Sequence, residues 1–242
     1  MNIPLGAKLA EGAEVTVYEH RVLASLVVKV PRQRPDVERV LAERLAGERM
    51  LHQAHLSAYV LDTRVFVPGT ANGREYPFVE TQTRVRTTLF DDVCTALEGG
   101  QTDQALQIVA RFFDFEHGVL WALGVVLRDA GSFLKNVARH QGRIQILDFS
   151  SFSRDRRALE GLVVRAKAEQ RINLMLDMLR SRLSGELDGA AWDRFCARLW
   201  KLAGAHYQLD RMKRAWLALP QRREDESGRY DRWTTKEDQA CE

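Results

Sequence analysis

The sequence predicts an α+β protein in which strands and helices are segregated along the chain. Two observations carry this. Strand-like segments rich in Val, Tyr and Leu, and broken by Gly and Pro, gather before residue 83, whereas from Leu89 onward the apolar pattern turns helical. Within the first part, one stretch, Asp36 to about Ala54, sets Val37, Val40, Leu41, Leu45 and Leu51 at helical spacing. Strands first and helices afterwards fit a small antiparallel sheet carrying one helix, followed by a mainly helical part. The expected units are residues 1–83, 84–220 and a charge-rich 221–242, whose composition predicts a disordered tail.

Composition sets the bounds. The chain of 242 residues is 45% apolar and 29% charged, with a formal net charge of +3. That is ordinary for a soluble globular protein and too weak a charge to point to nucleic acid. Only seven of the basic residues are Lys. Cys94, Cys196 and Cys241 share no metal-like spacing and suggest a reducing compartment. His52 and His55 are spaced like a ligand pair but have no third ligand nearby. The start, MNIPLGAKLAEG, lacks the basic and apolar regions of a signal peptide. The longest apolar run, Gly118 to Leu127, is half the ~20 residues a membrane span needs and reads as a core segment. A cytoplasmic protein is expected, with peripheral action at an inner membrane face left open.

Taken in order, Leu5 to Tyr18 reads as a β-hairpin with a small-residue tip at Gly12-Ala13-Glu14. Small residues let a backbone approach phosphates closely. Leu26 to Val30 follows as a buried strand carrying Lys29, which needs an anionic partner or an edge position. Asp36 can cap the helix that runs to about Ala54. On it Glu48 lies nineteen residues after Lys29, with Glu43 as the fallback partner. Tyr59 to Val67 and Tyr76 to Glu80 read as strands joined by Pro68 to Gly73, and Thr83 to Thr88 as a linker. Leu89 to Leu97 is a short helix ended by Gly99-Gly100, and Thr102 caps a second that reaches Gly124. Two long helices are expected at roughly 157–183 and 189–218. The first carries basic positions, Arg171 among them, read as a solvated face.

Leu123 to Ser150, LGVVLRDAGSFLKNVARHQGRIQILDFS, organises the rest. An apolar run ends in Arg128-Asp129, a polar loop reaches Asn136, and a turn at Gln141-Gly142 leads to a second apolar run ending in Asp148-Phe149. A carboxylate at the end of a buried strand is costly unless paired or metal-bound. Carboxylate, amide and phosphate oxygens together suit Mg²⁺. A hairpin with acidic ends is the plainer alternative.

The order of these features resembles the protein-kinase-like superfamily: a glycine-rich hairpin, a strand Lys, a helix Glu, Arg-Asp, Asn and Asp-Phe. Leu5-Gly6 and Gly12-Ala13-Glu14 resemble its glycine-rich loop, in the form found in small atypical kinases of the RIO and tRNA-modification-complex groups. In compactness the chain is similar to bacterial lipopolysaccharide-core kinases and to the short kinase-like proteins of the PhoP regulatory network. The resemblance covers residues 5–155 and implies a two-lobed fold that binds ATP and Mg²⁺. It further implies that Gly6, Gly12 and Ala13 cover the phosphates and that Lys29, oriented by Glu48, holds the α- and β-phosphates. Glu80 and Gln82 would present hinge backbone to the adenine. Asn136 and Asp148 would hold the metal, and Asp129 would take the proton of an attacking hydroxyl.

The chain departs from the family pattern in four places. Leu127 stands where the family has His, and Asp129 and Asn136 are seven apart instead of five. Ser150 replaces the Gly after Asp-Phe, and no Ala-Pro-Glu follows. The short activation segment leans toward a hydroxyl-bearing acceptor such as a sugar or lipopolysaccharide core, with a protein Ser/Thr as the other option. A kinase-like regulatory module that binds nucleotide with little transfer is the non-enzyme alternative.

Overall fold

A computed structural model describes residues 2–32, 36–127, 133–149, 152–153, 161, 165–183, 188–208 and 210–211. The segments β2 (Leu5–Glu11), β3 (Val15–His20), β4 (Leu26–Pro31), β5 (Thr63–Phe66) and β8 (Val79–Thr83) form one five-stranded sheet. Its order is β2-β3-β4-β8-β5, and every pairing is antiparallel. A smaller sheet sits beside it. There β6 (Gly69–Ala71) turns through Asn72 and Gly73, both at positive φ, into β7 (Arg74–Tyr76), and β1 (Asn2–Ile3) pairs with β6 in parallel. Two positive-φ residues in succession are what a tight hairpin turn requires, and Asn-Gly supplies them.

The sheet alternates in an informative way. Successive side chains on a strand face opposite sides. On one face Val28, Val30 and Val79 join Ile3 and Ala71 in a small apolar core. On the other, Lys29, Glu80 and Gln82 are all buried, at 7%, 0% and 3% exposure. Helix α1 (Val37–Gln53) and the Leu147–Phe149 segment pack on this polar face.

Beyond residue 83 the chain is mainly helical. Helix α2 (Leu89–Glu98) starts from a capping box, with Thr88 accepting from the Asp91 amide and the Asp91 carboxylate accepting from the Thr88 amide. Helix α3 (Thr102–Phe115) continues as a π turn over Glu116–Leu120 and a 3₁₀ turn over Trp121–Leu123, ending at Gly124 with φ 66. Strand β9 (Val126–Leu127) pairs with β12 (Phe152–Ser153), and β10 (Val137–His140) forms a hairpin with β11 (Arg143–Ile146). Helices α4 (Arg165–Arg182) and α5 (Gly189–His206) follow. The large core joins these elements through Phe112, Leu120, Phe133, Ile172, Phe195 and Leu199, and it reaches back to Leu51 in α1 and Leu56 just after it. The expected small antiparallel sheet with one helix, followed by helices, is present. Among the described residues no helix is long and apolar enough to cross a membrane.

Several details differ from the sequence expectation. The strand expected at Tyr76–Glu80 is β8 at Val79–Thr83, because Gly69–Tyr76 is consumed by the β6–β7 hairpin. The strand expected from Tyr59 begins only at Thr63; Ser57–Tyr59 is a 3₁₀ turn, and Val60 bridges to Ile146 instead. The helix expected over roughly 189–218 is interrupted after His206; Asp210 and Arg211 are again helical, and 212–218 lie outside the described residues. Arg171 is not solvated. At 1% exposure it donates to Glu116, 2.7 Å away, and Glu116 also accepts from His206 at 2.9 Å. His206 is stacked between Phe113 and Trp121, with ring centroids 4.3 and 4.5 Å away. The expected tail, 221–242, lies outside the described residues.

Candidate nucleotide and metal site

Lys29 and Glu80 are direct cross-strand partners on β4 and β8. Their side chains leave the same face, and Lys29 Nζ lies 2.9 Å from Glu80 Oε1. Lys29 also donates to the Leu147 carbonyl at 2.8 Å. Gln82, two residues along on the same face, donates to that carbonyl at 3.0 Å and to Thr63 Oγ1 at 3.0 Å. The residue immediately before Asp148 is therefore tied to the sheet twice.

The helix contributes Arg44. Its guanidinium donates to Glu80 Oε2 from Nε at 3.0 Å and from a terminal nitrogen at 2.6 Å, and its other terminal nitrogen reaches Asp148 Oδ1 at 3.3 Å. Arg44 is 2% exposed, in line with the buried Val40, Gly47 and Leu51. A Cβ on Gly47 would stand 2.1 Å from the Phe149 carbonyl oxygen, so α1 touches the Asp148–Phe149 backbone directly.

Charges balance within this cluster: two cations, Lys29 and Arg44, face two carboxylates, Glu80 and Asp148. Burial alone would raise the Glu80 pKa, but Lys29 and Arg44 together hold it below the ordinary range. Burial would likewise lower the Arg44 pKa, and Glu80, Asp148 and Glu14 more than reverse that. The charge of Glu14 places the hairpin tip within electrostatic range of this cluster. Arg32 ties the tip down by donating to the Gly12 carbonyl at 3.2 Å.

Asn136 stands at the base of the β10–β11 hairpin. Its carbonyl accepts from the Leu147 amide at 2.8 Å, and the register pairs Val137 with Ile146. The seven-residue gap after Asp129 thus does not carry Asn136 away: its backbone lies opposite the residue next to Asp148. Asp129 itself lies outside the described residues. The strands beside it are placed, since Leu127 pairs with Phe152, and this brings the chain before Asp129 next to the chain after Asp148.

Three sequence assignments are corrected. Glu48 is not the partner of Lys29; Glu80 takes that place. On a 3.6-residue helix Glu48 lies about 70° from the mean direction of Val40, Arg44, Gly47 and Leu51, and it is half-buried beside the cluster. Glu80 and Gln82 do not offer hinge backbone, because β8 is paired on both sides at those residues. The chain leaves the ladder only after Thr83. Gly6 is not at the hairpin tip. It lies six residues from Gly12, roughly 20 Å along an extended strand, and a Cβ there would meet Glu19 at 3.0 Å. Arg44 was missed, although its place in the Val40, Gly47, Leu51 line was a readable signal.

The donors fit a hard cation. The hairpin register sets Asn136 opposite Leu147, next to Asp148, and a carboxylate and an amide are ligand types that suit Mg²⁺, which keeps waters and takes its remaining ligands from phosphates. The Asp148 side chain is 31% exposed, so it is open to a ligand. Among the described residues no group of three or more His, Cys, Asp and Glu gathers, so a metal held here would depend on phosphate oxygens. A groove of about 900 Å³ between α2, α3, α5 and the β10–β11 hairpin shares none of these residues.

No protein-family model and no curated protein matches the chain. Among solved structures it is similar to the ROP18 kinase domain, determined in complex with AMP-PNP and sucrose. The two share 14% identity and a TM-score of 0.47 over 87% of this chain and 79% of that one. A likeness of that size carries nothing about the site, which stands on the contacts above.

Proposed function

We propose that this chain is a kinase-like phosphotransferase that moves the γ-phosphate of ATP to a hydroxyl acceptor. The observation that supports the reading is that Lys29 and the Asn136 backbone both bond Leu147, the residue before Asp148, so that residues of the types and order the sequence resemblance implies converge on one short segment. Phosphoryl transfer asks mainly for positioning and charge neutralisation. Lys29, held by Glu80, would take the α- and β-phosphate oxygens. Asp148 and the Asn136 amide would hold Mg²⁺, which supplies neutralisation of phosphate charge. Backbone at the Gly12-Ala13 tip would cover the phosphates, and the segment after Thr83 would meet the base. Asp129 would take the proton from the acceptor hydroxyl as its oxygen bonds to the γ-phosphorus and the bond to the β,γ-bridging oxygen breaks.

The acceptor class is a sugar, a lipopolysaccharide-type core or a protein Ser/Thr, on the sequence argument from the short activation segment. A cytoplasmic setting, with peripheral contact at an inner membrane face, belongs to the same proposal; nucleic acid does not. A second reading is a regulatory module that binds nucleotide with little transfer. Arg44 favours it, because a guanidinium already neutralises Asp148.

Mg-ATP binding and ATP turnover, measured together on wild type and Lys29→Met, test both. The enzyme reading expects binding and turnover in wild type and loss of both in the variant. Binding without turnover on any hydroxyl acceptor selects the regulatory module, and wild type that binds no nucleotide removes both readings.

A further inference from the structure

We infer that Arg44 is a positioning residue for Asp148, through which helix α1 acts on the proposed metal-side carboxylate. The inference rests on the nucleotide reading above and deepens it. Lys29 takes its counterion from the neighbouring strand, where Glu80 is its register partner. That pair is made by two paired strands, and Arg44 from α1 bonds the other oxygen of the same Glu80.

The helix also reaches Asp148. Two of the Arg44 nitrogens are fixed on Glu80 Oε2, and because the guanidinium is planar and rigid this aims its remaining terminal nitrogen at Asp148 Oδ1. Three residues on, Gly47 presses against the Phe149 carbonyl. Asp148 is therefore flanked on one side by Leu147, whose carbonyl Lys29 and Gln82 hold to the sheet, and on the other by Phe149, which touches the helix. Arg44 is the bond that joins these two supports through the carboxylate itself. A hydrogen bond at one oxygen narrows the orientations a carboxylate samples, and a small cation with strict geometry favours a narrowed set.

Coulomb repulsion between Arg44 and Mg²⁺ runs the other way, so the test must keep the charge. Arg44→Lys does this. Lysine is a point charge without the fork; it can stay on Glu80 but cannot reach Asp148 as well. A fluorescent ATP analogue is titrated against wild type and Arg44→Lys, first in EDTA and then across a Mg²⁺ series, with circular dichroism on the same samples.

The expected result is a folded variant with metal-free affinity near wild type and a Mg²⁺ midpoint raised about tenfold, the scale of lost outer-shell support. An unchanged midpoint overturns the assignment. So does a lowered midpoint, which would make Arg44 a competitor of the cation. Equal loss with and without metal, or a variant that no longer folds, makes Arg44 merely structural and also overturns it. Wild type that binds no nucleotide in either condition overturns the functional reading, and this inference with it; wild type that binds while the variant matches it overturns the inference alone.

Discussion

Lys29 and Glu80 face each other across two paired strands of the sheet, Nζ to Oε1 at 2.9 Å, and Glu80 at the same time carries Arg44 from the helix. One carboxylate thus balances two buried cations. Removing its charge while leaving both cations in place is more damaging than replacing all three charged groups together by apolar side chains. Glu80→Gln should lose about 3–5 kcal/mol of stability, the usual cost of breaking a buried pair at one end. Glu48→Gln, which disturbs no ion pair among the described residues, should stay within about 0.5 kcal/mol. Denaturant unfolding of the two variants checks this, and a large loss at Glu48 with none at Glu80 would restore the helix glutamate to the role the resemblance implies.

Acid should destabilise the fold in two stages. Burial pushes the His206 pKa below its ordinary value of 6.5, and its contact with Glu116 only partly offsets this. A depressed folded pKa means stability that is full above 6.5 and is lost as pH falls toward the folded value. In the neutral ring Nε2–H donates to Glu116, and Nδ1 is buried without a partner among the described residues, so a proton there has nothing to bond. Burial would raise the Glu116 pKa, but Arg171 and His206 hold it below 4.5, and Glu80 is lowered in the same way. Their contributions are full above 4.5 and fade below it. Urea midpoints measured from pH 8 to pH 4 should therefore fall below 6.5 and fall faster below 4.5. His206→Phe should flatten the first stage; a first stage that survives it assigns the loss to another group.

What the sequence could and could not show follows from the range of the interactions. The hairpin over Leu5–His20, the strand around Lys29 and the helix ending near Ala54 are set by local periodicity and turn residues, and they were readable. The environment of β8 was not. Glu80-Thr81-Gln82 has the composition of an exposed linker, and it is buried only because Lys29 and Arg44, fifty-one and thirty-six residues away, meet it there. Arg44 and Arg171 were hidden in a chain rich in arginine, where each looks like one more solvated charge. Their positions still carried a signal: Arg44 repeats with Val40, Gly47 and Leu51, and Arg171 with Ala168 and Met175, each on the apolar stripe of its helix.

Gly47 offers a test of the helix contact that does not touch a charge. In an ordinary helix interior, Gly→Ala gains up to about 1 kcal/mol. Here the new Cβ would lie 2.1 Å from the Phe149 carbonyl oxygen, so α1 must move away from the Asp148–Phe149 segment. Gly47→Ala should instead lose about 1–3 kcal/mol, the cost of overpacking. It should also weaken Mg²⁺-dependent nucleotide binding more than metal-free binding. A stabilised Gly47→Ala protein would show that helix and loop are not in contact in solution.

The two acidic residues that end the apolar runs should separate binding from chemistry. Asp148 follows Leu147, which pairs with Asn136 at the hairpin base, and is the carboxylate proposed to hold a cation. Asp148→Asn removes that charge and leaves Arg44 facing a neutral amide, so the site gains positive potential where Mg²⁺ would approach. Metal-dependent nucleotide binding should fall by at least about tenfold, while binding in EDTA is kept or strengthened, because Lys29 and its partner Glu80 are untouched. On the proposed reading Asp129→Asn acts at the acceptor hydroxyl: nucleotide and metal binding should stay near wild type and turnover should drop by about 10²–10⁴, the range for a lost general base. Binding titrations with and without Mg²⁺, run beside phosphate-release assays on both variants, read the two effects apart. Mg²⁺-dependent binding that survives Asp148→Asn would sink the metal assignment, and turnover that survives Asp129→Asn would place the base elsewhere.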